Sequence, residues 1–106
     1  MTPKDVFTTE IPKNIAANPD KAKAINATYK FIVTGATGGT WRVILGADPK
    51  CEEGEGAAQC TITVGDEDFV NIVGGKLNPQ MAFMSGKLKV AGDMSLAMKL
   101  GTVLNG

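Results

Sequence analysis

Every methionine other than Met1 lies between residues 81 and 98, in two pairs: Met81 with Met84, and Met94 with Met98. Spacings of three and four residues put each pair on one face of a helix. An unbranched, polarisable thioether fills irregular space and suits apolar surfaces that adapt their shape. The pairs therefore point to a deformable apolar pocket, although ordinary core packing uses the same spacing. The other chemistry-bearing residues say more by exclusion. The 106 residues include no histidine, which removes Ser-His-Asp and Cys-His catalysis and any histidine-bearing metal site. Two cysteines alone cannot build a cysteine-rich zinc site. Eleven basic residues balance eleven acidic ones, which argues against a nucleic acid as partner.

Weaker constellations have plain structural explanations. Asp66, Glu67 and Asp68 form a carboxylate run that helix capping and the helix dipole account for. The glycine-rich run from Gly35 to Gly39 lacks the Gly-Lys-Ser/Thr ending of a phosphate loop and leads into a strand, so it reads as a hairpin turn. Lys87, Lys89 and Lys99 read as a solvated face, with an acidic headgroup as the alternative. Gln80 either faces solvent or orients the polar end of a ligand. Cys51 and Cys60 flank Gly54-Glu55-Gly56. In a hairpin they would face each other within reach of a disulfide, whereas a reducing compartment favours two free thiols.

The elements that position these residues follow from periodicity and punctuation. Residues 2–17 read as helix, with Thr2 as cap, Pro3 in the first turn and a stripe of Phe7, Ile11 and Ile15; Pro12 kinks it or opens a second helix. After Asn18-Pro19-Asp20, residues 20–27 predict a short helix with Ala22, Ala24 and Ile25 inward. Strands are expected over 28–33, 40–45 and 58–64, with Tyr29, Phe31 and Val33, then Trp41, Val43 and Leu45, then Cys60, Ile62 and Val64 sharing faces. A helix from Asp66 ends at Gly74-Gly75. Asn78-Pro79 opens another, which Gly86 closes. Residues 87–91 alternate as a strand, and Asp93 caps a last helix over 94–100 that is apolar on most sides except at Ser95 and Lys99. A small chain has little interior in which to hide such a helix, so it is either deeply buried or a lid over something apolar.

The run from Cys60 to Phe69 and the longer run from Gly75 to Leu100 (Gly-Lys-Leu-Asn-Pro-Gln-Met-Ala-Phe-Met-Ser-Gly-Lys-Leu-Lys-Val-Ala-Gly-Asp-Met-Ser-Leu-Ala-Met-Lys-Leu) resemble the sterol carrier protein 2 domain family. The similarity extends more loosely over about residues 5–104, through Asn18-Pro19-Asp20, Tyr29-Lys30-Phe31 and Trp41-Arg42-Val43. It implies an α+β fold: a five-stranded, mainly antiparallel sheet covered by helices, with the fifth strand near residues 51–53 and an apolar lipid tunnel. It further implies binding of fatty acids, fatty acyl-CoA or sterols by a non-catalytic intracellular carrier that uses no cofactor. Pro12 and the segment around Cys51 depart from the family pattern, and the chain lacks a terminal Ser-Lys-Leu type signal.

One domain over residues 1–106 is the expectation, acting as a monomer with a lipid ligand and a transient membrane surface as partners and no nucleic acid. No apolar leader opens the chain and no stretch is long enough to span a bilayer, so cytoplasm or peroxisome is the expected location. The expected lining is Phe69, Val73, Leu77, Met81, Phe83, Met84, Met94, Leu96, Met98 and Leu100, over a floor of Phe31 and Trp41, with Gln80 as the polar orienter. Gly92 and Gly101 are the expected hinges of a lid formed by the last helix. Two rivals stand beside this reading: an acyl-CoA-processing enzyme or accessory domain, and a module that docks its last helix on a protein.

Overall fold

The computed structural model describes residues 2–99. Along them run α1 (Pro3–Asp5), a π-helical turn (Val6–Glu10), α2 (Ile11–Ala17), α3 (Pro19–Ile25), β1 (Thr28–Thr34), β2 (Gly39–Ile44), β3 (Lys50–Glu53), β4 (Cys60–Gly65), α4 (Asp66–Val73), α5 (Pro79–Met84), β5 (Leu88–Gly92) and α6 (Met94–Met98). The five strands make one sheet in the order β3-β2-β1-β4-β5. The pairings are antiparallel except β1 with β4, which is parallel, so the sheet is mixed.

That parallel pair forces the chain to cross the sheet between β3, at one edge, and β4. The crossing segment passes over the face that carries Lys30 and Arg42. Glu55 ion-pairs with Lys30, and a Cβ added at Gly56 would come within 2.6 Å of the Arg42 guanidinium. A side chain there would have to push the guanidinium aside. Gln59 then locks the segment to β1, its side-chain oxygen accepting from Thr28 N–H at 2.8 Å and its own N–H donating to Thr28 C=O at 3.1 Å.

Alternation along the strands puts one set of side chains under the helices. Tyr29, Phe31 and Val33 of β1, Trp41 and Val43 of β2, Leu45 just beyond it, and Cys60, Ile62 and Val64 of β4 are all buried. The N-terminal helical run closes over them with Val6, Phe7 and Ile11. Phe7 stacks on Trp41 (4.6 Å between centroids, 12°) and on Phe69 of α4 (5.0 Å, 8°), and Phe31 meets Phe7 and Phe69 at a tilt. Burying each such ring contributes roughly 1.5–3 kcal/mol, so this cluster is the main anchor of the N-terminal helices.

Pro12 stands in the first turn of α2, the second of the two alternatives, and the chain enters that helix through the π-helical turn. The turn before it widens, and Ile11 N–H bonds to Val6 C=O, five residues back. Proline supplies no N–H to the preceding turn and its ring crowds the carbonyl four residues earlier. A wider turn accommodates both, and still presents Phe7 and Ile11 to the core. Thr2 caps this run reciprocally with Asp5: Asp5 N–H donates to Thr2 Oγ1 and Thr2 N–H to Asp5 Oδ2.

Three expectations change. Cys51 and Cys60 do not share a hairpin: β3 pairs with β2, and β2 and β1 lie between the two cysteines. Three strand spacings separate them by about 14 Å, twice the reach of a disulfide, and both are free thiols. Ala24 is exposed, because α3 buries only Ala22 and half-buries Ile25 before Asn26 ends it in the left-handed conformation (φ 45°). Asp66 is not the cap of α4, whose cap position is Gly65. Its carboxylate instead ties the β1–β2 turn to the helix start, accepting from Thr37 N–H (3.1 Å), Thr37 Oγ1 (2.8 Å) and Glu67 N–H (2.8 Å). Those bonds hold the Asp66 carboxyl below the ordinary aspartate value.

Candidate functional site

The β5 edge of the sheet supports a groove of about 600 Å³ between α5 and α6. Each wall is fixed by a local signal. Asn78 Oδ1 accepts from Gln80 N–H (2.8 Å) and Met81 N–H (3.4 Å), starting α5 at Pro79. Asp93 Oδ1 accepts from Ser95 N–H (2.9 Å) and Ser95 Oγ (2.6 Å), starting α6. The same bonds hold the Asp93 carboxyl below its ordinary value. The floor is the inward face of β5, Leu88 and Val90, held in register by Val64 and Ile62 of β4.

Two links fasten α6 to the sheet. Gly92 occupies the last ladder position of β5, opposite Cys60, with φ 97°, and a Cβ there would sit 2.4 Å from the Gln59 carbonyl oxygen. Asp93 N–H donates to that same carbonyl at 2.9 Å. Further along, the buried Tyr29 hydroxyl donates to the Leu96 carbonyl at 2.5 Å. Burial, with smaller contributions from Cys60 and Asp93, raises the Tyr29 phenol above its ordinary value and keeps it protonated as a donor. The hinge expected at Gly92 is therefore held by the ladder, and Gly101 lies outside the described residues.

Phe83, Met84, Leu88, Val90, Met94, Ala97 and Met98 line the groove with apolar surface, and Asn78, Pro79 and Gln80 close one end. Among the described residues no lining side chain carries a charge. Five of the residues expected from the sequence come together here: Gln80, Phe83, Met84, Met94 and Met98. The others do not. Phe31, Trp41 and Phe69 belong to the closed aromatic cluster, where their faces are already occupied by one another and by Phe7. Val73 and Leu77 pack part-buried against the core, and Leu96 is buried in it. Met81 is 66% exposed and off the groove, because α5 turns Ala82 inward. Leu100 lies outside the described residues. Leu88, Val90 and Ala97 line the groove without having been expected to. The alternation of residues 87–91 shows that Leu88 and Val90 face one way, but not that the helices above them stand apart.

Among the described residues the space is a groove open to solvent rather than a closed tunnel: Met84 is 84% exposed, Met98 76% and Phe83 42%. At the far edge of the sheet, a second cleft of about 300 Å³ lies between Phe7, Pro12, Trp41 and Cys51, with Lys4 and Glu53 at its mouth. Burial pushes the Cys51 thiol up to about 12, so it is protonated at neutral pH.

The sequence model of the SCP-2 sterol transfer family matches residues 9–105. Hydroxysteroid dehydrogenase-like protein 2 of Bos taurus is 43% identical over 89 residues, which are 81% of this chain and 21% of that protein. Non-specific lipid-transfer protein-like 1 of Caenorhabditis elegans is 32% identical over 105 residues, covering 95% of this chain and 89% of that one. Palmitated SCP2L2 from Aedes aegypti superposes with a TM-score of 0.80 at 27% identity, over 100% of this chain and 96% of that one. The chain thus spans about a fifth of the first of these relatives and nearly the whole of the other two.

Proposed function

The chain belongs to the SCP-2 sterol transfer family, and from that premise we propose that it is a lipid carrier that holds one long acyl chain in the α5–α6 groove and does no chemistry on it. The observation that carries this reading is the groove: about 600 Å³, walled by Phe83, Met84, Leu88, Val90, Met94 and Met98, with amide groups at one end. That volume lies within the ~300–1,000 Å³ range of small-molecule pockets.

The energetics suit the task. Each buried methylene contributes ~0.8 kcal/mol, so a chain of about 16 carbons offers roughly 12 kcal/mol before the loss of its freedom. Immobilisation offsets several kcal/mol of that, and the remainder supports micromolar or tighter binding without an ion pair. Such a site discriminates weakly between chains of similar length, since one methylene at ~0.8 kcal/mol changes affinity about fourfold. Gln80 at the exposed end is placed to bond a polar head through its amide, and Asn78 is committed to the helix cap. A flexible thioether lining accommodates saturated, bent or ring-bearing chains alike.

The relatives' names support the carrier role, palmitate in the Aedes aegypti protein most directly. The lining residues described carry no titratable group, which supports a holding rather than a reacting site. The chain acts as a monomer in this reading, in the cytoplasm or peroxisome, whether it stands alone or forms part of a longer protein. None of its helices among the described residues is long and apolar enough to cross a membrane.

Native mass spectrometry of the purified protein with added palmitate tests the proposal. One palmitate per chain is expected. Met84→Ser with Met98→Ser, two exposed wall positions, should weaken uptake about tenfold or more while leaving the fold intact. Full uptake by that variant would place the ligand elsewhere. Turnover of a fatty acyl-CoA by the pure protein, lost on changing one carboxylate, would establish an enzyme instead.

A further inference from the structure

Three of the four methionines between residues 81 and 98 border one space. Met84 of α5 and Met94 and Met98 of α6 line the groove from both walls, over the floor of Leu88 and Val90. Met81 also stands on α5, yet it lies off the groove and is 66% exposed. Of the side chains described in the lining, only the thioethers are open to mild oxidation. Neither thiol belongs to it: Cys60 is fully buried, and Cys51 sits on β3 at the far edge of the sheet. We propose that the groove reduces fatty-acid hydroperoxides: a methionine of its wall takes one oxygen from the –OOH group of a bound acyl chain, leaving a hydroxy acid and a methionine sulfoxide. This rests on the lipid-carrier reading. An intact acyl chain meets nothing reactive in the groove, and an acyl hydroperoxide does.

The step balances between its two partners. A sulfur lone pair attacks the outer peroxide oxygen, an S–O bond forms and the O–O bond breaks. The hydroperoxide proton passes to the departing alkoxide, which leaves as the alcohol. Sulfur gives up two electrons and the hydroperoxide takes them. No side-chain acid or base takes part, which agrees with a described lining free of titratable groups. Each methionine reacts once, so the step is stoichiometric, and methionine sulfoxide reductases restore the wall. Confinement supplies the rate. One molecule held in about 600 Å³ is at a local concentration of about 3 M, roughly 10⁵ times a solution at about 30 μM. Met94 and Met98 stand about 6 Å apart along α6, and Met84 stands on the other wall, so a peroxide group finds a thioether at more than one position along the chain. Met81 separates position from exposure. Aqueous peroxide attacks by exposure, and Met81 at 66% lies between Met98 at 76% and Met94 at 49%. A peroxide carried on a bound acyl chain attacks by position, and Met81 is out of its reach.

Incubation of the full chain with linoleic acid hydroperoxide tests this, with peptide mass spectrometry reading each methionine and chromatography reading the hydroxy acid. Met84, Met94 and Met98 are expected to oxidise at least about tenfold faster than Met81. One hydroxy acid should form per sulfoxide, and both cysteines should remain free thiols. Excess palmitate should slow oxidation of the three about tenfold and leave Met81 unchanged. With aqueous hydrogen peroxide instead, Met81 should keep pace with the three within about threefold. Met81→Leu should form as much hydroxy acid as the parent. Oxidation of Met81 by the lipid hydroperoxide as fast as the other three, loss of hydroperoxide without sulfoxide, loss of a thiol, or no reaction would each overturn the proposal. Palmitate uptake, read separately by native mass spectrometry, keeps the two readings apart. Bound palmitate with the groove methionines left reduced by the lipid hydroperoxide would overturn this step alone. No palmitate uptake, with sulfoxides that follow exposure, would overturn the groove reading as well.

Discussion

Tyr29 links the sheet to the last helix through one bond. Its ring lies in the core against Phe31, while its hydroxyl reaches the Leu96 carbonyl. Tyr29→Phe keeps the ring but removes that donor, leaving the Leu96 carbonyl with the Lys99 N–H alone. We expect a loss of about 1 kcal/mol in denaturant unfolding, together with faster release of bound palmitate in stopped-flow displacement; an unchanged release rate would mean that α6 does not gate the groove. The thiols make a second prediction at this scale. Burial raises both Cys60 and Cys51, and they are separated by two strands. Native protein at neutral pH should therefore alkylate slowly, whereas denatured, unreduced protein should titrate as two free thiols; one missing thiol pair would contradict the strand order. Which apolar residues are core and which are wall was not legible at this scale. Phe69 and Phe83 are the same residue type on neighbouring helices, yet one stacks on Phe7 and the other opens onto the groove.

Among the elements, the β5–α6 junction turns on a backbone conformation that favours glycine. Gly92 combines a positive φ with an approach to Gln59 that excludes a side chain. Gly92→Ala is expected to lose at least ~2 kcal/mol, since alanine meets both the backbone penalty and the clash. Thermal denaturation followed by circular dichroism measures it; a melting temperature equal to the parent's would show that the junction relaxes freely. Caps and stops were readable because they act within a few residues: Thr2, Asn78-Pro79, Asp93 and Gly74-Gly75 bound their helices where the sequence places them. Strand β3 was not readable from its own residues, because Lys50–Glu53 has no alternating apolar pattern and exists through pairing with β2. Asp66 was misjudged for the same reason, as its main partner, Thr37, lies 29 residues away.

For the molecule as a whole, the titrating groups define a pH window. Asp5, Asp66 and Asp93 are held below the ordinary aspartate value by hydrogen bonds in the fold. Each contributes stability above the unfolded value and loses it as pH falls below ~3.9. Cys51, Cys60 and Tyr29 are raised by burial, so their contribution is present below the unfolded thiol value of ~8.5 and is lost as pH rises beyond it. With no histidine in the chain, stability should be flat between about pH 5 and 8 and fall on both sides. Urea midpoints across pH would reveal it; a step near pH 6.5 would point to a group outside this set. By itself the sequence determined what depends on neighbours along the chain: helix ends, strand faces, the lack of a histidine-based chemistry, and an ordered run from Cys60 to Leu100 specific enough to indicate a family. Tertiary structure decided how far apart the packed layers stand. Four aromatic rings fill the space above β1 and β2, so Phe31, Trp41 and Phe69 are core. Short helices held at their caps leave the space above β5 open, and an apolar side chain is the same in sequence whether a neighbour fills the gap beside it or not.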